Sequence, residues 1–170
     1  MRALLLSLCV VTALFAESAA GLKWTMPAGW TAEGARPMRA ATYQVPIAAG
    51  DPKTAECAVY FFGAGQGGSV EANIDRWKAQ FQGQNGKPAE AQVQKRTVHG
   101  LAVTTITAAG AYSGMGGPMA GGSTAQPGYR MLGAIVEGPG GNVFLKFTGP
   151  EKTVAANQQR FEQLLTSFSK

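Results

Sequence analysis

Residues 57–81 read CAVYFFGAGQGGSVEANIDRWKAQF, in which an apolar run, a glycine turn and an amphipathic segment follow one another. The apolar run from Cys57 to Phe62 has no polar alternation, which predicts a strand buried on both faces. After the glycines, Ser69 is a favourable helix N-cap, and Glu71 lies in the first turn, where the helix dipole favours negative charge. The segment therefore predicts a central strand, a tight turn and a helix.

The predicted helix is amphipathic and extends to Phe81. Apolar residues recur every three or four positions and form one stripe, made of Val70, Ile74, Trp77 and Phe81. The side chains expected to face water are Asn73, Arg76 and Gln80. Gly83 and Gly86, followed by Pro88, are expected to end the helix.

Short strands and turns account for most of the remaining chain. Further strands are predicted at 22–26, 41–45, 91–98, 101–109, 129–137 and 143–148, with bends at 99–100 and 138–142. A second helix is expected to begin near Pro150, with an apolar stripe made of Val154, Phe161, Leu165 and Phe168. This order of elements predicts an α+β fold, with a mostly antiparallel sheet flanked by two main helices.

Residues 1–20 have the pattern of a signal peptide. Arg2 gives a positive start, residues 3–15 are almost all apolar, and small residues precede Gly21. We expect cleavage between Ala20 and Gly21, which leaves residues 21–170 as a single exported domain, periplasmic or extracellular. No later segment has the length and apolar character of a transmembrane helix.

The composition argues against a nucleic-acid-binding protein and against a disulfide-stabilised one. Charged residues make up 15% of the chain, and the net charge of +5 comes from scattered basic residues, so we expect no nucleic-acid partner. Residues 21–170 contain a single cysteine, Cys57, so no internal disulfide can form there. The apolar neighbours of Cys57 predict a buried thiol.

The glycine turn satisfies the G-x-G-x-x-G pattern of dinucleotide-binding proteins. In those proteins a parallel strand follows the helix, whereas hairpins follow here, so we predict no nucleotide cofactor. The simpler role of the glycines is to permit a tight turn. Weak anion binding at the helix start stays open, with Gly65, Gly68 and Ser69 as the candidate residues.

Residues suited to catalysis or metal binding are sparse. His99 is the single histidine and lies in a predicted bend, and no G-x-S-x-G pattern occurs, so we predict no catalytic residues. The carboxylates show no ligand spacing, which predicts no metal site of the usual kind. Thioethers can bind copper, however, and the candidate donors are Met115, Met119 and Met131. The tryptophans fit positions in the core.

Four stretches together resemble the PsbP-like superfamily: MPAGW at 26–30, the segment 69–81, HGLA at 99–102 and FEQLLTSF at 161–168. The resemblance covers nearly all of residues 21–170 and implies a PsbP-like α/β/α sandwich. It also implies a protein that docks on a larger assembly. It assigns no activity, because the matching features are mainly structural.

Residues 110–128 consist largely of Gly, Ala, Ser, Met and Pro, which predicts a long loop. Long loops are often functional, so we expect a contact surface for another protein or an envelope assembly, with Tyr112, Met115 and Met119 as candidates. The expected function is a non-catalytic exported binding or accessory module. The alternative is a protein that binds a small ligand or a soft metal such as copper.

Overall fold

The structure is a computed structural model that describes residues 16–83, 87–114 and 125–170. Its strands are β1 (Ala16–Ala19), β2 (Leu22–Thr25), β3 (Thr31–Ala32), β4 (Arg39–Val45), β5 (Ala55–Tyr60), β6 (Phe81–Gln82), β7 (Ala91–Val98), β8 (Leu101–Tyr112), β9 (Gln126–Gly138) and β10 (Gly141–Pro150). Its helices are α1 (Val70–Lys78), α2 (Glu151–Ala156) and α3 (Gln158–Thr166). The predicted strands and the predicted glycine-turn helix are all present, with bounds shifted by a few residues.

The main sheet has the strand order β3-β4-β5-β10-β9-β8, and β6 and β7 pair with separate stretches of β8. Every pairing in it is antiparallel across the described residues. The predicted α+β class with an antiparallel sheet is therefore confirmed. Since α1 leads into the antiparallel strand β6, the glycine turn does not belong to a parallel nucleotide-binding layer.

The alternation of β10, a central strand, defines the two faces of the sheet. On the first face lie Val143, Leu145 and Phe147. On the second face lie Phe144, Lys146 and Thr148. The first face packs against α2, α3 and the hairpin of β1 and β2, and the second packs against α1. Helices on both faces give the α/β/α layers that the resemblance to the PsbP-like superfamily implied.

The larger core lies on the first face and is rich in aromatic contacts. Trp24 stacks on Phe168 with ring centroids 5.0 Å apart, and the Trp30 ring lies 5.2 Å from that of Phe147. These two tryptophans and Trp77, on the second face, are all buried, as predicted. Aromatic side chains that bury this much area dominate the packing energy of a domain of this size.

The C-terminal helix differs from the prediction, because α2 and α3 are separated by a break at Asn157. The buried Asn157 side chain donates to the Thr153 carbonyl at 2.9 Å and accepts from the Trp30 indole at 3.2 Å. A buried amide needs such partners, and the break orients it toward the tryptophan. The apolar periodicity of the sequence does not indicate that the helix breaks at Asn157.

Helix α1 packs on the second face through Ile74 and Trp77. The Trp77 ring approaches β9 so closely that a Cβ at Gly133 would lie 2.8 Å from it. Two predictions for this segment were wrong, since Asn73 and Gln80 are each 2% exposed instead of facing water. Asn73 turns back onto the glycine turn, and Gln80 lies beyond the end of α1, where the helical pattern no longer applies.

Part of the predicted signal peptide belongs to the described structure. Strand β1 pairs antiparallel with β2, and the turn between them contains the predicted cleavage position. The Glu17 carboxylate accepts hydrogen bonds from the Tyr43 hydroxyl and from the Trp24 indole, the latter at 3.2 Å. The Ala20 carbonyl accepts from the Gly140 amide at 2.9 Å. Strand β1 thus supplies the acceptor for two buried polar groups of the larger core.

We expect a chain that begins at Ala16 to be more stable than one that begins at Gly21. The shorter chain loses β1 and leaves the Tyr43 hydroxyl without its carboxylate acceptor, at a cost on the order of 2 kcal/mol. Chemical denaturation of the two purified chains measures the difference. The matched control is Glu17→Gln in the longer chain, which keeps an acceptor oxygen and should lose less. Equal stability of the two chains would contradict the role of β1.

Candidate functional site

A cleft lies on the second face of the sheet, beside α1. Helix α1 packs over β8, β9 and one part of β10, and the cleft lies on the part of that face beside it. Its first part, the aromatic lobe, has a volume of about 310 Å³ and is lined by Tyr60, Phe62, Asn73, Arg76, Trp77, Gln80, Phe144 and Lys146. We call the whole site the lysine cleft, because Lys146 forms part of its floor.

The second part of the cleft, the tyrosine lobe, has a volume of about 240 Å³. It is lined by Arg39, Thr54, Glu56, Ala58, Tyr60, Tyr112, Tyr129, Lys146, Thr148 and Gly149. The two lobes share Tyr60 and Lys146, so they adjoin at these two side chains. Such a volume and mixed lining are typical of small-molecule sites.

Lys146 projects from the middle of β10 and is 6% exposed. Its Nζ donates to the Gln80 Oε1 and to the Tyr112 hydroxyl, the latter at 2.9 Å, and lies 5.0 Å from the centroid of the Tyr112 ring. An ammonium group has three N–H donors, so these bonds leave one donor for a further acceptor. Both protein acceptors are neutral groups.

No carboxylate pairs with Lys146 among the described residues. Residues 1–15, 84–86 and 115–124, which the structure does not describe, contain no Asp or Glu. Burial, together with the nearby Arg76 and Arg39 guanidinium groups, lowers the pKa of Lys146 from its usual 10.5 to about 8. Lys146 is therefore a buried cation without a side-chain counter-ion.

Among the remaining charges of the cleft, Glu56 raises the pKa of Lys146 and so offsets this imbalance only in part. Glu56, the single carboxylate among the lining residues, pairs with Arg39 at 2.8 Å and with Arg36 at 3.3 Å. Against it stand three lining cations, Arg39, Arg76 and Lys146. The cleft thus has an excess of positive charge.

Aromatic rings form the walls of both lobes. Tyr60 and Phe62 stack with centroids 5.9 Å apart, and so do Tyr112 and Tyr129 at 5.8 Å. Phe62 is 38% exposed. Burial raises the pKa of Tyr112 to about 12, so its hydroxyl is neutral near pH 7 and offers hydrogen bonds without charge.

Of the predicted contact residues, only Tyr112 lies in the described structure. It is at the end of β8, pairs with Gln126 of β9 and lines the tyrosine lobe. Met115 and Met119 lie outside the described residues. Met131, the third candidate copper donor, is fully buried in the core beneath α1, where it packs with apolar side chains. Of the three candidate copper donors, the one that the structure describes is therefore a core residue.

The predicted anion-binding turn has the expected local geometry. Gly65 and Gly68 have φ values of +70° and +82°, and the Ser69 side chain accepts from the Ala72 amide at 3.1 Å. The Asn73 amide also donates to carbonyls within the turn. The turn therefore caps its own helix, and anion binding there stays a prediction.

Other sequence predictions concern single residues. His99 occupies the turn between β7 and β8 with a φ of +46°, and its Nδ1 lies 2.9 Å from the Phe168 carbonyl oxygen. Cys57 is fully buried, and burial raises the pKa of its thiol. The described residues contain no cluster of three His, Cys, Asp or Glu side chains suited to a metal.

The helices of the described residues do not meet the requirements of a membrane span. None has the length and apolar character needed to cross a bilayer, and α1 and α3 have nine residues each, where about 20 are required.

Sequence reasoning missed Lys146, Arg39 and Gln80 as site residues. One signal for Lys146 was present, because a lysine inside the apolar run Val143 to Phe147 is rare in a central strand unless it is paired. Arg39 and Gln80 come from other elements and reach the site only through the sheet pairing.

Solved structures share this architecture, whereas neither protein-family models nor curated protein sequences match the chain. A solution structure of cyanobacterial PsbP from Synechocystis matches with a TM-score of 0.52 and 12% identity, over 98% of each chain. A crystal structure of a Pseudomonas aeruginosa protein of unknown function, described as a putative regulator, matches with a TM-score of 0.52 and 10% identity, over 92% of this chain and 96% of that one. The chain has the PsbP-like fold, and at these identities the likeness extends to the fold alone.

We expect Lys146→Met to reduce the dependence of stability on pH. Because the pKa of Lys146 is near 8 in the folded chain and near 10.5 when unfolded, the unfolded chain binds more protons between these values. Wild-type stability should therefore rise between pH 8 and pH 10 relative to Lys146→Met, by on the order of 2 kcal/mol. Chemical denaturation across this range measures the difference, and the control is Lys95→Met, whose side chain is 75% exposed. If the difference in stability between wild type and Lys146→Met did not change with pH, this would contradict the conclusion that Lys146 is a buried charged group.

Proposed function

We propose that this protein, a chain with the PsbP-like fold, is a non-catalytic exported binding module for a small ligand that joins an acidic group to an apolar part. The observation that carries the proposal is the buried Lys146 ammonium, which has neutral acceptors and a remaining donor but no side-chain counter-ion. The lysine cleft is the binding site.

The charge of the cleft supports an acidic ligand. An isolated charge in a protein interior costs several kcal/mol of solvation free energy unless an opposite charge compensates. The two arginines beside Lys146 increase this cost, because like charges repel. A carboxylate or phosphate bonded to the Lys146 Nζ would remove the imbalance and form a charge-assisted hydrogen bond.

The aromatic lobe supports an apolar part on the same ligand. Phe62, Phe144 and Trp77 line this lobe, and Phe62 is partly exposed to solvent in the unliganded protein. A flat or aliphatic group placed there would cover Phe62 and gain roughly 25 cal/mol per Å² of apolar surface removed from water.

The lining of the cleft supports binding instead of catalysis. Among the described residues, neither lobe is lined by a Ser, Cys, His or Asp side chain, so neither presents a Ser-His-Asp or Cys-His arrangement. His99 is engaged with the Phe168 carbonyl, at the end of the first-face helices. Export is supported by the signal-peptide pattern of residues 1–20.

We expect 4-phenylbutyrate, used as a probe, to bind in the lysine cleft and its neutral amide to bind far more weakly. Two-dimensional NMR of the labelled protein should show saturable shifts at Phe62, Trp77 and Lys146. Lys146→Met should weaken the binding of the acid by about tenfold or more, because the charge-assisted bond is lost. The affinity should also fall as pH rises through about 8, where Lys146 loses its proton.

The matched control for this experiment is Lys78→Met, which removes a more exposed lysine of α1 that does not line the cleft. Equal binding of the acid and the amide, or an affinity unchanged in Lys146→Met, would contradict the proposal. Because methionine fits an apolar interior, the variant is expected to fold, and its NMR spectrum shows directly whether it does.

A second candidate function is docking on a larger partner through residues 110–128. It is favoured by Tyr112, which lies near the start of this segment at the end of β8, lines the tyrosine lobe and bonds to Lys146. A partner bound at this segment would contact the same end of the sheet as the ligand.

We expect replacement of residues 115–124 by a Gly-Ser linker of equal length to abolish capture of a partner from an envelope extract, while 4-phenylbutyrate still binds. Tyr112→Phe is the control, because it keeps the ring and changes only the bond to Lys146. Partner capture unchanged by the replacement would exclude this segment as the docking surface.

A further inference from the structure

The tyrosine lobe has features of a second acid-binding subsite. The first is the charge count of the cleft, in which Arg39, Arg76 and Lys146 stand against Glu56 alone. One acidic group on a ligand would leave this count positive. A ligand with two acidic groups would bring the lining charges and the ligand to neutrality.

The second feature is the availability of donors in the tyrosine lobe. Arg39 Nη1 donates to the Thr42 hydroxyl at 3.2 Å and forms an ion pair with Glu56 at 2.8 Å. The Arg39 side chain also hydrogen-bonds to Tyr60. A guanidinium group has five N–H donors, so these contacts leave donors for another acceptor. Its plane is held by the Tyr60 ring, whose centroid lies 5.3 Å from the Arg39 Cζ. Arg39 is thus positioned before any ligand binds.

The third feature is an unsatisfied hydroxyl. Thr148 lines the tyrosine lobe, and its Oγ1 is buried with no hydrogen-bond partner among the described residues. A buried hydroxyl without a partner costs about 1–3 kcal/mol, and a partner from outside the chain, water or ligand, removes that cost. Thr148 is two residues from Lys146 on the same strand and faces the same side of the sheet. A ligand acid in the tyrosine lobe would give this hydroxyl an acceptor.

We propose that the ligand of the lysine cleft carries two acidic groups, the first held by Lys146 and the second by Arg39 and Thr148 in the tyrosine lobe. This inference rests on the proposed function and specifies its ligand class, a dicarboxylate with an apolar substituent. The apolar substituent occupies the aromatic lobe. The two acidic groups meet at the junction of the lobes, where Lys146 and Tyr60 line both.

The experiment compares benzylsuccinate with 4-phenylbutyrate, which has the same ring and chain but lacks one carboxylate. We expect benzylsuccinate to bind the wild-type protein about tenfold or more tightly, measured by NMR titration or calorimetry at pH 7. Arg39→Met should reduce the affinity for benzylsuccinate to that of 4-phenylbutyrate and leave the affinity for 4-phenylbutyrate nearly unchanged. Thr148→Val should reduce the advantage of the second carboxylate by a few-fold.

Two controls separate the subsite from its surroundings. Arg36→Met removes the other arginine that pairs with Glu56 but lines neither lobe, so it should leave both affinities unchanged. The double variant Arg39→Met, Glu56→Gln removes the carboxylate that the single variant would release into the lobe. If the double variant restored full benzylsuccinate affinity, the released Glu56 charge would explain the loss, and Arg39 would not be a ligand-binding residue.

The outcomes for the two proposals are distinct. If both acids bind through Lys146 with equal affinity, the second subsite is overturned and the proposed function stands. If neither acid binds, or if Lys146→Met binds both as wild type does, the proposed function falls and the second subsite falls with it.

Discussion

The alternation of side chains along a β-strand places Lys146 on the second face of the sheet. Strand β10 has neighbours on both sides, so its side chains can point only to one face of the sheet or the other. The first face takes apolar residues into the larger core, and the second takes Phe144, Lys146 and Thr148. Because β10 is a central strand, the Lys146 side chain must lie over the second face. Its charge must be accommodated by whatever lies over the second face.

The short helix α1 determines how much lies over that face. It is held on β9 by Trp77, which fits only because residue 133 has no side chain, and it ends at Lys78. The chain then turns back, and Gln80 meets the Lys146 ammonium at the edge of the helix. The site is the boundary between a covered and an uncovered part of one sheet.

The sequence predicted most of the helices and strands. It did not predict the exact ends of these elements or the residues of the cleft. Strong local signals, such as the apolar run of β5 and the Ser69 cap, predicted the fold class, because each depends on residues close in sequence. Asn73 and Gln80 were assigned to water because a helical pattern cannot register a turn that folds back or a helix that ends early. Lys146 stood out as a lysine in an apolar strand, but its neighbours Arg39 and Tyr112 come from distant strands that only sheet pairing brings together.

The demands of folding do not account for Lys146. Its bonds to Gln80 and Tyr112 do link α1 to β8, which is a structural contribution. An apolar side chain of similar length would fill the same space without the cost of burying a charge beside two arginines, and such replacements are often neutral or stabilising. Buried polar groups that reduce stability concentrate at functional sites, where another molecule completes them. The orphaned Thr148 hydroxyl on the same strand has the same character. The proposed ligand would complete both of these polar groups, which line one cleft.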